Sequence, residues 1–162
     1  MIKKEIAKML NEQINKELHS GYLYLEFANY YESKNLPGFA KWFVAQSNEE
    51  MEHAMKMRTF LINAGEKVTF SPIADTEKDF TDVKGPLVAA LKHEQFITQS
   101  IYAIYEKALE LKDYFSAHFL QWFIDEQAEE EASAQSNIDK LDMIGSSGSG
   151  LYMLDREMGS RD

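Results

Sequence analysis

Gln46-Ser47-Asn48-Glu49-Glu50-Met51-Glu52-His53-Ala54-Met55-Lys56-Met57 decides the fold, because it sets ionisable residues inside a stripe that is otherwise apolar. Phe39, Phe43, Gln46, Glu50, His53, Met57 and Phe60 recur at three- and four-residue steps, the period of one helix face. Glu50 and His53 therefore sit where a helix turns toward a core. An isolated buried carboxylate costs several kcal/mol and prefers to take up a proton. A Glu-x-x-His on an acidic helix is weak by itself, since solvated faces produce it by chance, so its meaning depends on the rest of the chain.

Three other stretches repeat the pattern. The first, from about residue 3 to 33, carries Ile6, Leu10, Ile14, Glu17, Gly21, Tyr24 and Ala28 on one face. The helix of the opening segment begins at Pro37, a residue suited to a first turn, and stops at Gly65. A third starts at Pro86 and shows Leu87, Leu91, Glu94, Ile97, Ile101, Ile104 and Ala108. A fourth opens near Asp113, a capping residue, and reads Phe119, Phe123, Gln127, Glu130, Ala134, Ile138, Leu141. Each stripe contains an intruding glutamate. Only a short piece from Val68 to Ile73 alternates with period two, so the chain is expected to be all-α.

Short links around Asn35 and Lys112 allow only antiparallel neighbours, which makes a hairpin of the first two helices and another of the last two. The stretch from Gly65 to Gly85 is long for a compact domain, yet extended chain of that length can run alongside a whole helix. The expectation is a four-helix bundle over about residues 3–143 with one long crossover, its second and third helices parallel. Gly145-Ser146-Ser147-Gly148-Ser149-Gly150 reads as a hinge, and Leu151, Tyr152, Met153 and Leu154 begin a short fifth helix over about 150–158 whose apolar residues suggest self-association.

The 162 residues fit one domain, and 44% hydrophobic content supplies an ordinary core. Zero cysteines exclude disulfides, thiolate zinc sites and iron–sulfur clusters, leaving oxygen and nitrogen ligands. A net charge of -10 repels nucleic acid phosphates and anionic membranes and concentrates cations. Met1-Ile2-Lys3-Lys4-Glu5-Ile6 lacks the apolar centre of a signal peptide and no run is long enough to span a membrane, so the expected location is cytoplasmic.

Glu17 precedes Glu50 by 33 residues and Glu94 precedes Glu130 by 36, so the two hairpins mirror one another. Under that approximate twofold, Gln127 and Glu130 answer to Glu50 and His53, and the second half lacks a histidine. Four carboxylates and a histidine converging in a core point to a pair of metal ions. One is expected on Glu17, Glu50 and His53, the other on Glu50, Glu94 and Glu130 with Gln127 as a hydrogen-bonding or weak ligand. The second should be the looser. His19, His93 and His118 lie off the stripes and are expected at the surface or in subunit contacts.

At Glu17, Glu49-Glu50-Met51-Glu52-His53, Lys92-His93-Glu94-Gln95, Leu120-Gln121-Trp122-Phe123, Glu126-Gln127-Ala128-Glu129-Glu130-Glu131 and Gly150-Leu151-Tyr152-Met153-Leu154-Asp155, the chain resembles the ferritin superfamily, and specifically bacterial non-haem ferritins. The resemblance covers nearly the whole chain. It implies a ferritin-like four-helix bundle with a short fifth helix at fourfold axes, and an iron-storage shell of 24 identical subunits. It also implies a ferroxidase centre that oxidises two ferrous ions with dioxygen or peroxide. A third iron position is implied at Glu49, Glu126 and Glu129 with Glu130 shared, although an acidic solvated face would explain those residues too. Tyr24 resembles a tyrosine placed near the centre as a redox or hydrogen-bonding group, and core packing would account for it equally. Trp122 is similar to a family tryptophan but is not needed at the site. Bacterioferritins bind haem through a methionine at the position of Met51, but they carry a second Glu-x-x-His where this chain has Gln127 to Glu130, which argues against haem. A peroxide-scavenging protein of the rubrerythrin kind would add a cysteine-bound iron, mini-ferritins lack the fifth helix, and storage subunits without oxidation lack the ligand set.

Overall fold

The computed structural model describes residues 1–76 and 79–162 and consists of five helices: α1 (Lys4–Ser33), α2 (Pro37–Asn63), α3 (Gly85–Glu110), α4 (Tyr114–Ile144) and α5 (Gly148–Gly159). Among the described residues there is no strand. The start and stop signals act as capping chemistry requires. Pro37 and Pro86 lie in the first turns of α2 and α3, and the Asp113 carboxylate accepts the Ser116 N–H at 3.1 Å to cap α4. Asn35 and Lys112 take up left-handed backbone, φ 58° and 56°, to reverse the chain inside each hairpin.

Contacts between helices fix the directions. Tyr31 stacks on Phe39 near one end of the α1–α2 hairpin, while Ser47 bonds Gly21 at its middle, so the two run antiparallel. On α1 and α3, Tyr24 meets Glu94, Ser20 meets His93 and Lys16 meets Ser100, again antiparallel. Phe60 stacks on Phe119 and Gln46 meets Glu130, which sets α4 antiparallel to α2. Helices α2 and α3 are consequently parallel, and the crossover between them is the long connection expected from the sequence.

The Val68–Ile73 alternation does not form a strand. Asn11 on α1 grips this stretch instead, its carboxamide accepting the Thr69 N–H at 2.8 Å and donating to the Lys67 carbonyl at 3.0 Å. Val68 turns onto the core while Phe70 stays exposed, so residues two apart do not share a side as they would in a strand. The hinge is also shorter than expected. The Ser147 hydroxyl accepts the Gly150 N–H at 3.1 Å and starts α5 at Gly148, a capping role hidden in a Gly/Ser run. The apolar tail divides in two: Leu154 and Met158 pack into the bundle end, whereas Tyr152 and Met153 are 65% and 70% exposed. Asp155 ties α5 down by accepting the Phe39 N–H at 2.9 Å.

The core consists of two apolar clusters. One gathers Ile6, Leu10, Ile14, Met57, Leu61, Ile101, Leu120 and Phe123; the other gathers Phe27, Tyr31, Phe39, Phe43, Leu87, Ile138 and Leu154. Between them lies a polar layer. Among the described residues no helix is long and apolar enough to cross a membrane.

Candidate metal centre

The polar layer forms because every stripe carries its glutamate at the same height in the bundle. Glu17 on α1, Glu50 and His53 on α2, Glu94 on α3, and Gln127 with Glu130 on α4 are all buried, none more than 6% exposed. Gly21, one turn beyond Glu17, lets α1 and α2 approach closely, and the Ser47 hydroxyl donates to its carbonyl at 2.8 Å. A Cβ at that position would lie 3.4 Å from the Ser47 carbonyl oxygen.

Glu17, Glu50 and His53 offer donor atoms within 4.8 Å of one another, and so do Glu50, Glu94 and Glu130. In the first set His53 Nδ1 lies 3.4 Å from Glu50 Oε2 and 3.9 Å from Glu17 Oε2. These three atoms are fully buried and have no hydrogen-bond partner. Buried polar atoms are normally satisfied, and three orphans converging on one point are the donor set a cation would complete. The other Glu17 oxygen is occupied by Gln13, whose amide donates to it at 2.9 Å, so Oε2 alone is left facing the centre.

The second set is more heavily clamped. Gln46 Nε2 donates to Glu50 Oε1 at 3.2 Å and to Glu130 Oε2 at 2.5 Å. Gln127 Nε2 donates to Glu94 Oε2 at 3.0 Å and to Thr98 Oγ1 at 3.2 Å, and the Tyr24 hydroxyl donates to Glu94 Oε1. Gln127 thus supports Glu94 through hydrogen bonds. The two halves differ physically: bare donors around His53, hydrogen-bonded carboxylates around Glu94.

Burial first, and then mutual repulsion, drives the acids toward their protonated forms. Glu17 is raised well above the ordinary range by burial and next by Glu50; Glu50 by burial and then Glu94; Glu94 by burial. Glu130 is pushed up to about 9 by burial, then by Glu94 and Glu49. Tyr24 is likewise raised by burial and the Glu94 charge, which keeps its proton available for that carboxylate. A divalent cation would remove this repulsion and displace the protons.

The remaining candidate residues line the edge of the centre. Glu126 Oε1 lies 3.6 Å from His53 Nε2, and His53, Glu126 and Glu130 form a third set of converging donors. Glu49, Glu126, Glu129 and Glu130 share a cleft with Trp42, Gln46 and Ser133. Glu49 is paired at 2.9 Å with Arg161, a residue that carried no signal in the sequence. A larger open cleft lined by Glu49, Glu52, Lys56, Trp122 and Glu126 leads to His53, and Trp122 sets its ring edge-on to His53 at 5.6 Å. His93, expected at the surface or in a subunit contact, is half-buried within the chain: its Nε2 lies 2.6 Å from the Ser20 hydroxyl, and burial lowers its pKa to about 4. Gln13 escaped the sequence reading and Gln46 was legible only as a polar member of its stripe; the signal that could have found their local partners is the four-residue spacing to Glu17 and Glu50.

A family model described as ferritin-like domain matches residues 7–144. The chain is 38% identical to a bacterial non-heme ferritin of Campylobacter jejuni over 156 residues, covering 96% of this chain and 93% of that protein. It is 33% identical to a bacterial non-heme ferritin of Staphylococcus aureus over 161 residues, covering 99% and 97%. Among solved structures, an Archaeoglobus fulgidus ferritin engineered into a closed form superposes with a TM-score of 0.98 at 36% identity, covering 100% of this chain and 99% of that one. The open-pore ferritin of the same archaeon gives 0.97 at 37% identity, covering 99% and 98%.

Proposed function

Because the chain belongs to the ferritin family, we propose that it is an iron-storage ferroxidase whose substrate ions bind at the polar layer. The observation that carries this reading is the convergence of Glu17 Oε2, Glu50 Oε2 and His53 Nδ1, three buried donors without partners. Glu17, Glu50 and His53 take one ferrous ion and Glu50, Glu94 and Glu130 take the other, so Glu50 faces both. Oxygen-rich ligands suit hard iron ions and favour the ferric state over the ferrous. Each ferrous ion gives up one electron, and dioxygen with two protons becomes hydrogen peroxide; peroxide can serve as oxidant in its place.

In this reading the chain's own residues have separate tasks. Gln13 leaves one Glu17 oxygen free, Gln46 and Gln127 hold the second set in place, and Tyr24 donates to Glu94. Carboxyl groups that hold protons in the metal-free protein release them as iron binds. The cleft beside His53 gives iron a path past Glu126, and Glu49, Glu126, Glu129 and Glu130 form a third, transit position. Assembly into a shell of 24 copies is supported by the exposed apolar residues of α5, Tyr152 and Met153. A cytoplasmic location accords with the lack of cysteine. Haem has no part in this reading, since Gln127 and Glu130 stand where a second Glu-x-x-His would be.

Anaerobic ferrous titration followed by exposure to air tests it. Wild type should oxidise iron rapidly until about two ions per subunit are consumed, and Glu50→Ala with His53→Ala should abolish that phase. Oxidation no faster than in buffer would refute the ferroxidase and leave the buried carboxylates to another metal.

A further inference from the structure

Arg161 follows α5 and lies more than a hundred residues from Glu17, Glu50 and His53 in sequence, yet its guanidinium reaches the edge of the centre. It rests 4.5 Å over the Trp42 ring, donates to the Trp42 carbonyl at 3.3 Å, pairs with Glu49 at 2.9 Å and donates to Gln46 Oε1 at 3.0 Å. Its side chain is 22% exposed, so the planar head is held on several sides. Gln46 is buried, and its other end donates to both Glu50 and Glu130.

The amide of Gln46 has two orientations related by a flip. In the observed one its oxygen faces a cation and its NH2 faces two carboxylates. Flipped, its NH2 would face the guanidinium, which has no acceptor, and its oxygen would face carboxylate oxygens. Both ends would then be mismatched. Arg161 opposes the flip from one end of the amide as the two carboxylates do from the other, and the disfavoured state is the one that would push Glu50 Oε1 and Glu130 Oε2 apart.

We infer that Arg161 is a positioning residue for the second metal position, acting through Gln46 on Glu50 and Glu130 and so linking the seating of α5 to the ligand set. This inference rests on the dinuclear reading above. Arginine suits the task better than lysine, because a planar fork can stack on Trp42 while donating to Gln46 and Glu49 together. The seat itself is rigid. Asp155 accepts the Phe39 N–H, Lys41 donates to the Gly159 carbonyl at 3.0 Å, and Gly38 and Gly159 allow close approach of α2 and α5. A disturbance of α5 therefore has a hydrogen-bonded route to Glu50 and Glu130 through the Gln46 amide, which touches neither Glu17 nor His53.

Cobalt(II), which binds without being oxidised by air, gives a readout independent of turnover. The full-length protein is titrated and its visible absorption followed in wild type, Arg161→Ala, Arg161→Lys, Gln46→Ala and the Arg161→Ala, Gln46→Ala double variant. Arg161→Ala should weaken the second cobalt by roughly ten- to a hundred-fold, the usual scale for removing a ligand-orienting partner, and weaken the first far less, because Gln46 holds Glu50 through Oε1 while the first position uses Oε2. Arg161→Lys should fall between. Gln46→Ala should show the same selective loss, and the double variant should lose no more than Gln46→Ala alone, because the two residues act in series. Equal second-site affinity in wild type and Arg161→Ala would overturn the inference, as would additive losses or equal weakening of both positions. Wild type that takes up no cobalt pair would instead sink the dinuclear reading, and the inference with it.

Discussion

Replacing Glu130 by Gln should make the metal-free protein more stable, and increasingly so as pH rises. Gln has the shape of a protonated Glu and retains an acceptor for Gln46, so only the titration is removed. In the fold the Glu130 carboxyl is raised from 4.5 to about 9 by burial and then by Glu94 and Glu49. A folded-state value above the unfolded one means that the group's contribution to stability is fully present below about pH 4.5 and is lost as pH climbs through about 9. At 1.36 kcal/mol per pH unit, the full span amounts to about 6 kcal/mol, and about 3 kcal/mol of it is already lost at pH 7. Glu50 and Glu94 share the same repulsion, so the loss is spread over the cluster and 3 kcal/mol is an order of magnitude for the single substitution. Denaturant unfolding of the metal-stripped protein, at one protein concentration and at several pH values from about 5 to 9, measures it. Wild type should lose stability across that range while Glu130→Gln declines less steeply. Zinc should restore wild type at high pH by replacing the protons, and should restore the variant less. Parallel wild-type and Glu130→Gln curves would refute the claim that the centre is held together by protons when no cation is bound.

Further perturbations test the frame around the site. Gly38→Ala would place a Cβ 1.7 Å from the Asp155 carbonyl oxygen, so α5 should lose its seat at a cost of about 1–3 kcal/mol; hydrogen exchange should show α5 amides deprotected while α3 is unchanged. Asp113→Ala removes both the α4 cap and the acceptor for the Lys3 N–H at 2.7 Å, and thermal unfolding should register a loss of about 1–2 kcal/mol. Lys112 holds φ 56° without being glycine, so Lys112→Gly should stabilise the protein by about 1 kcal/mol, and a fall in the denaturation midpoint would contradict that account of the turn.

Much of this architecture is local in origin and therefore legible in the chain. Stripes with a 3.6-residue period specify the helices, Pro37, Pro86 and Asp113 mark where three of them begin, and the short turns at Asn35 and Lys112 force the hairpins. The glutamates of the centre were visible for the same reason: an acid inside an apolar stripe breaks a pattern that one helix alone defines. Tertiary structure decided how those acids are held across the bundle. Gln13 and Gln46 each reach a carboxylate four residues on in their own helix, Glu17 and Glu50, but their contacts with Ser100 and with Glu130 exist only once α1 meets α3 and α2 meets α4. His93 lies off its stripe, yet Ser20 on α1 and the ring of Tyr24 enclose it. Arg161 is the extreme case, since its position depends on α5 folding back across the start of α2 through Asp155, Gly38 and Gly159. Periodicity encodes which face of a helix is buried; which side chain from another helix arrives at that face depends on distances across the bundle, and no window of sequence contains them.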